Sequence, residues 1–219
     1  MATKANTAKI TDDKIISIYM DFVLEHEVHP KSIYKFCKEN KIKEDEFYQF
    51  FGSFEALQKG IWNKFFTNTT TLLNKNKEYE GFSNKDKMLT FFYTIFELLT
   101  MNRSYVLFTL GTNRKMLDKM SELKDLRSHI KNFTAELIEE SNEDKNLKIT
   151  KQSPRIFSDG AWVQFLFLLK FWMDDSSAGF EKTDLAIEKS VTTIFDVFDN
   201  TPLDSIIDFG KFLYKENFA

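Results

Sequence analysis

The sequence predicts an all-α protein in which a compact N-terminal unit of three to four helices precedes a larger helical domain, and three observations carry that reading. Only 7 Gly and 3 Pro are spread over 219 residues, too few turn formers for the frequent reversals of an all-β fold. Apolar residues recur at helical spacing along most of the chain. Polar breaks carrying Ser, Asn, Gly or Pro separate those stretches, and the length suffices to bury one large core or a small and a larger one.

Thr11 is an N-cap candidate ahead of Asp12 and Asp13, whose charges suit the positive end of a helix dipole. Ile15, Tyr19, Phe22 and Val23 follow at helical spacing toward Glu27. His29-Pro30 then ends the helix, because a residue before proline is pushed out of the α region. A second helix fits residues 32–40, with Ile33, Phe36 and Cys37 on its apolar face and Lys31, Lys35 and Lys38 in a basic stripe. A third fits 44–51, burying Phe47, Phe50 and Phe51 and leaving Glu44, Asp45, Tyr48 and Gln49 outward. Ser53 caps a fourth, whose stripe is Phe54, Leu57, Ile61 and Phe65.

The larger domain begins after a polar stretch at 74–81. Ser83 and Asp86 offer a capping-box-like start to a long aromatic helix through Phe91, Phe92, Tyr93, Ile95, Phe96 and Leu99. Asn102 interrupts it, and a further helix is expected over 105–117. Leu123, Leu126, Ile130, Phe133 and Leu137 mark another at nearly heptad spacing. Residues 141–152 read as a charged loop. Ser153-Pro154 is a cap followed by proline at the first helical position, opening a helix to about Asp175. Leu185, Ile187, Val191, Ile194 and Phe198 then give an amphipathic helix, and 203–216 a last one.

Composition narrows the function. The polar N-terminus lacks a secretory apolar stretch, which points to a cytoplasmic protein. The most apolar segment, 161–173, contains Gln164 and Lys170 and is too short for the roughly 30 Å hydrocarbon layer, so no membrane partner is expected. The single cysteine, Cys37, reads as a small core residue. His26 and His29 straddle a helix end without the spacing of a paired-histidine metal motif, so no metal or other cofactor is expected. With no Gly-rich phosphate loop, nucleophile elbow or histidine placed to serve a nucleophile, no enzymatic activity is expected either. The 24 Phe fill a core, build an interface or line a cavity for an apolar ligand.

The stretch Phe47-Tyr48-Gln49-Phe50-Phe51-Gly52-Ser53, followed by Glu55 and Leu57, resembles the end of the helix-turn-helix of TetR-family transcriptional regulators. The resemblance covers roughly residues 10–66, and the first helix has the expected length and offset. Phe171 to Ser176, with Thr183 to Ser190, looks like the segment joining the two late helices that pair between subunits in that family. The resemblance implies a DNA-binding domain over 1–66 and a ligand-binding and dimerisation domain over 67–219. It also implies a homodimer through the late helices, a double-stranded operator, and a small effector held between helices.

On that reading Lys31, Ser32, Lys43, Glu44, Asp45, Tyr48 and Gln49 face phosphate or base edges. Phe92, Phe96, Phe108, Phe133, Trp162, Phe165 and Leu169 are the candidate lining of an effector cavity, and so few charges among them imply a hydrophobic ligand. Two departures matter. The recognition helix opens on Glu44, Asp45 and Glu46, and Phe54 stands where the family has a lysine that approaches phosphate. Residues 1–70 carry ten Lys, no Arg and ten acidic residues, so DNA affinity has to come from how charge is distributed, chiefly the Lys31, Lys35, Lys38, Lys41 and Lys43 cluster. Acidic side chains repel phosphate but also accept from cytosine N4 in the major groove. Two readings follow: an operator-binding regulator, or a module of the same fold that binds hydrophobes or proteins without DNA.

Overall fold

A computed structural model describes residues 10–111, 121–143 and 152–200. Among the described residues the α-helices are α1 (Asp12–His26), α2 (Ile33–Glu39), α3 (Glu44–Tyr48), α4 (Phe54–Lys75), α5 (Asn84–Met101), α6 (Arg103–Leu110), α7 (Lys124–Glu143), α8 (Pro154–Asp174) and α9 (Glu181–Asn200), with 3-10 turns at Tyr79–Gly81 and Ala178–Phe180. The all-α class is as expected. The helix expected over 203–216, and residues 112–117 of the one expected from Tyr105, lie outside the described residues. Contacts group the chain into two compact units, Met1–Phe65 with Leu99–Leu126, and Phe66–Leu98 with Arg127–Ala219. Segment 99–126, which the sequence reading assigned to the larger domain, thus contributes α6 to the smaller unit.

In the first unit local chemistry sets each helix end. The Thr11 hydroxyl accepts the Lys14 N–H at 3.2 Å and the Ser32 hydroxyl the Lys35 N–H at 3.4 Å, capping α1 and α2. α2 stops in a Schellman turn: the Ile42 N–H reaches the Cys37 carbonyl at 2.9 Å and the Lys41 N–H the Lys38 carbonyl at 3.4 Å. Lys41 takes the left-handed conformation there, φ 56°, where glycine is usual, and Ile42 is buried behind it. α3 is shorter than expected. The Phe47 carbonyl accepts both the Phe51 N–H and, in a 3-10 bond, the Phe50 N–H, each at 3.0 Å, so the last turn tightens and the helix closes there. Phe47 and Phe51 are buried, but Phe50, expected on the same face, is 39% exposed.

The core of this unit is aromatic. Phe36 lies edge-on to Phe22 at 5.7 Å and to Phe54 at 5.6 Å, and Phe54 also meets Tyr19 at 5.6 Å and Phe47 at 5.8 Å. Gly60 admits the Phe51 ring to α4, since a Cβ there would stand 2.9 Å from Phe51 Cε1. Lys64 of α4 bridges Asp12 and Asp13 at 2.8 Å each, so the two acids that suit the helix dipole also tie α1 to α4. From α6, Tyr105 and Val106 are buried, and Phe108 meets the His29 ring at 5.3 Å.

In the second unit, the Ser83 hydroxyl accepts the Asp86 N–H at 3.1 Å and donates to the Asp86 carboxylate at 2.6 Å, opening α5. α7 continues to Glu143, into what reads from sequence as loop. The Asn142 side chain then donates to the Gln152 carbonyl at 2.7 Å and accepts its N–H at 2.9 Å, clasping the ends of the intervening segment. Ser153 and Pro154 start α8 as expected, with the Ser153 hydroxyl accepting the Ile156 N–H at 3.5 Å. α9 buries Thr183, Ile187, Val191 and Phe195, whereas Leu185, expected on that stripe, is exposed. Gln164 of α8 donates to the Ser190 hydroxyl of α9 at 2.9 Å, and Phe157 meets Phe195 at 5.2 Å.

Candidate functional site

A run of exposed cations extends from the start of α2 to the turn before α3. Lys31, Lys35, Lys38, Lys41 and Lys43 are all exposed, and none is ion-paired among the described residues. Lys38 Nζ lies 5.9 Å from the centre of the exposed Tyr34 ring. Tyr48 and Gln49 are exposed at the C-terminal end of α3. Ser32 acts as the α2 cap, so its hydroxyl oxygen is already an acceptor within the chain.

The acidic start of α3 is partly used locally. The Glu46 carboxylate accepts the Lys43 N–H at 3.1 Å, and Glu44 accepts from the Tyr48 hydroxyl at 3.4 Å. All three acids lie in the first turn, where negative charge complements the helix dipole. Asp45 alone is fully outward and makes no side-chain hydrogen bond among the described residues. Burial, with the Glu44 carboxylate beside it, pushes the Cys37 thiol up to about 11, so Cys37 stays a protonated core residue. Phe54 cannot act like a lysine at this surface, because its ring is committed to Tyr19, Phe36 and Phe47.

The candidate cavity residues divide. Phe92, Phe96, Trp162, Phe165 and Leu169 are buried in the second unit. Phe96 meets Phe165 at 6.0 Å, and Phe165 stacks with Trp162 at 5.5 Å. Phe133 stacks on Phe91 at 4.7 Å and lines a separate groove between α4, α5 and α7. Phe108 belongs to the first unit, against His29. The α8–α9 pair also carries an open groove of about 800 Å3 lined by Ile156, Val163, Phe167, Ala186 and Ile194 among others. Val163, Phe167, Phe171, Leu185 and Val197 on these helices are exposed.

Residues 87–213 match the family model described as Tetracyclin repressor-like, C-terminal domain, a match over more than half of the 219 residues. The chain belongs to this TetR-like family. The match begins at Lys87 in α5 and takes in α6 to α9, so it covers the α8–α9 pair and most of the buried aromatic set of this TetR-like chain. No curated protein and no solved structure matches the chain. As a member of the family, the TetR-like chain is a regulator, and no described helix is long and apolar enough to cross a membrane.

Sequence reasoning missed three features of this TetR-like chain. One is the buried polar group in which Gln58 donates to the Tyr19 hydroxyl at 2.7 Å while that hydroxyl lies 3.0 Å from His29 Nδ1. Another is Asp175, which accepts the N–H groups and hydroxyls of both Ser177 and Thr183 at the α8–α9 junction. The third is Lys87 beside Tyr79 in the groove lined by Phe133. Only Asp175 left a local signal, an Asp two residues before Ser in a polar break.

Proposed function

We propose that this chain is a homodimeric transcriptional regulator, acting as a repressor, whose operator binding is set by a small hydrophobic effector. Residues 1–66 read DNA, and 67–219 bind the effector and pair the subunits. The observation that carries the reading is the run of exposed lysines along α2 and the turn before α3, with Tyr48 and Gln49 exposed at the end of α3, while Glu44 and Glu46 are engaged within α3. Five exposed cations per subunit supply phosphate contacts even though residues 1–70 are formally neutral. The exposed apolar face of α8 and α9 supports pairing with a second copy, which would bury on the order of 2,000 Å2 or more. Two-fold symmetry then calls for a nearly palindromic operator. The effector acts by population shift, binding the DNA-incompetent arrangement better than the competent one.

One observation favours a second reading. With the Phe54 ring in the core and Asp45 outward, the α3 surface lacks one expected cation and keeps one free carboxylate, which suits a module that binds hydrophobes or proteins without DNA. Selection of genomic fragments by the purified protein at low salt separates the two, with mobility shift of the enriched fragments against a Lys43→Glu, Gln49→Ala variant. The regulator reading expects an enriched palindrome that the variant fails to shift. Failure of a folded, delipidated dimer to enrich any sequence selects the second reading.

A further inference from the structure

Within the second unit, a groove of about 490 Å3 lies between the C-terminal half of α4, the turn at Tyr79–Gly81, α5 and α7. Part of its wall is aromatic: Phe66 stacks with His129 at 5.0 Å and lies edge-on to Phe133 at 6.4 Å. Tyr79 is only 8% exposed, yet its hydroxyl finds no hydrogen-bond partner among the described residues. The Lys87 side chain is 13% exposed and, among the described residues, pairs with the Glu140 carboxylate at 3.9 Å, too far for a hydrogen bond. Its ammonium lies 6.0 Å from the centre of the Tyr79 ring, so both donors border the same recess.

A buried hydroxyl left without an acceptor is costly, and a ligand oxygen would relieve it while lying beside the Lys87 ammonium. Burial, and secondarily the Glu140 carboxylate, push the Tyr79 phenol up to about 12, which keeps it a donor at neutral pH. The remaining charges are on the outside: Glu80 and Glu136 are exposed, and the Glu140 side chain, 67% exposed, is free to turn to water.

We propose that this groove binds a small monocarboxylic acid with a flat apolar body, its carboxylate on Lys87 Nζ and the Tyr79 hydroxyl and its body against Phe66 and Phe133. The volume suits a molecule of one or two rings. Glu80, Glu136 and Glu140 around the mouth disfavour a second negative charge, so phosphates and dicarboxylates are selected against. The inference goes beyond regulation of an operator, and it concerns residues apart from the buried set around Phe96 and Phe165.

The test is calorimetric titration of the full-length protein with naphthoate, using naphthylmethylamine and naphthalenemethanol as cationic and neutral controls of similar shape. The imidazole resonances of the three histidines report where the probe lands. Naphthoate should bind and move the His129 signal while leaving His26 and His29 in place. Tyr79→Phe should weaken it severalfold, and Lys87→Met by about tenfold or more, as expected for losing a hydrogen bond to a charged group. Tyr79→Phe removes one oxygen and keeps the ring, so it serves even if Lys87→Met fails to fold. Equal or tighter binding of the amine, binding that leaves His129 unmoved, binding that survives both substitutions, or no binding at all would overturn the proposal. No DNA is present, so failure to find an operator leaves this result untouched.

Discussion

Gln58 of α4 donates its side-chain amide to the hydroxyl of Tyr19 on α1 at 2.7 Å, in the interior of the first unit. The same hydroxyl lies 3.0 Å from His29 Nδ1, so one phenol joins α1, the segment after it and α4. Burial pushes the Tyr19 phenol up to about 12, the more so because Glu122 and Glu55 lie near enough to disfavour an anion there. Tyr19→Phe keeps the ring and deletes that acceptor, leaving the Gln58 amide the longer contact to His29 Nδ1 at 3.4 Å. Urea unfolding should show a loss of about 1–3 kcal/mol with an unchanged m value. A loss below about 0.5 kcal/mol would mean that the amide finds another partner.

Asp175 ties α8 to α9 through charge. Its carboxylate accepts the Ser177 hydroxyl and N–H at 2.7 and 2.8 Å and the Thr183 hydroxyl and N–H at 2.7 and 2.9 Å. These bonds, led by the Ser177 hydroxyl, hold its pKa well below the usual carboxylate range. A depressed carboxylate pKa contributes stability above the unfolded value, about 3.9, and that contribution disappears as pH falls through the folded value. Asp175→Asn should therefore be less stable at neutral pH, yet should show a flatter decline below about pH 4, by up to about one proton taken up on unfolding. Thermal melts of both proteins across the acid range measure this, and parallel acid limbs would remove Asp175 from the account.

Lys41 occupies a left-handed position at the end of α2, a conformation that disfavours any residue with a Cβ by about 1–2 kcal/mol. Lys41→Gly should relieve that strain and raise stability by up to about 1 kcal/mol, the flexibility of glycine in the unfolded chain offsetting the rest. It should also weaken operator binding by removing one cation from the cluster. If the variant gained no stability in denaturant titration, the turn would not be strained in solution.

Phe167 projects from α8 with 55% of its surface exposed, in the groove shared with α9. Phe167→Glu places a charge in the middle of that apolar face, and a buried unpaired charge is strongly disfavoured. Light scattering should then give a two-chain mass for the native protein and a one-chain mass for the variant, with helix content by circular dichroism unchanged. A variant that stays at two-chain mass would move the interface elsewhere.

Where the helices lie was legible because the signals are local. Thr11, Ser53 and Ser153 each cap the helix they are expected to cap, and Ser32 caps α2 as well. Which residues face inward was less so. Leu185 looks like the natural first member of the α9 stripe, but counting back four from Ile187 lands on Thr183, which becomes buried by bonding to Asp175. Phe50 was assigned to a face that α3 does not extend far enough to provide, because the chain tightens onto the Phe47 carbonyl. The polar pairs were illegible for a different reason. Gln58 is 39 residues from Tyr19, and no spacing rule links a side chain to a partner brought near by the fold. The lysine cluster was readable from sequence alone, whereas the engagement of Glu46 with the Lys43 N–H was not.

The Asp175 junction also bears on how quickly the protein finds a partner. The Gln164–Ser190 bond and the Asp175–Thr183 pair fix α8 and α9 to each other. Pairing through their outer face, as proposed, would then need no coupled folding of the helices, so its rate would follow diffusion and orientation, with lifetime decided by how well the two surfaces match.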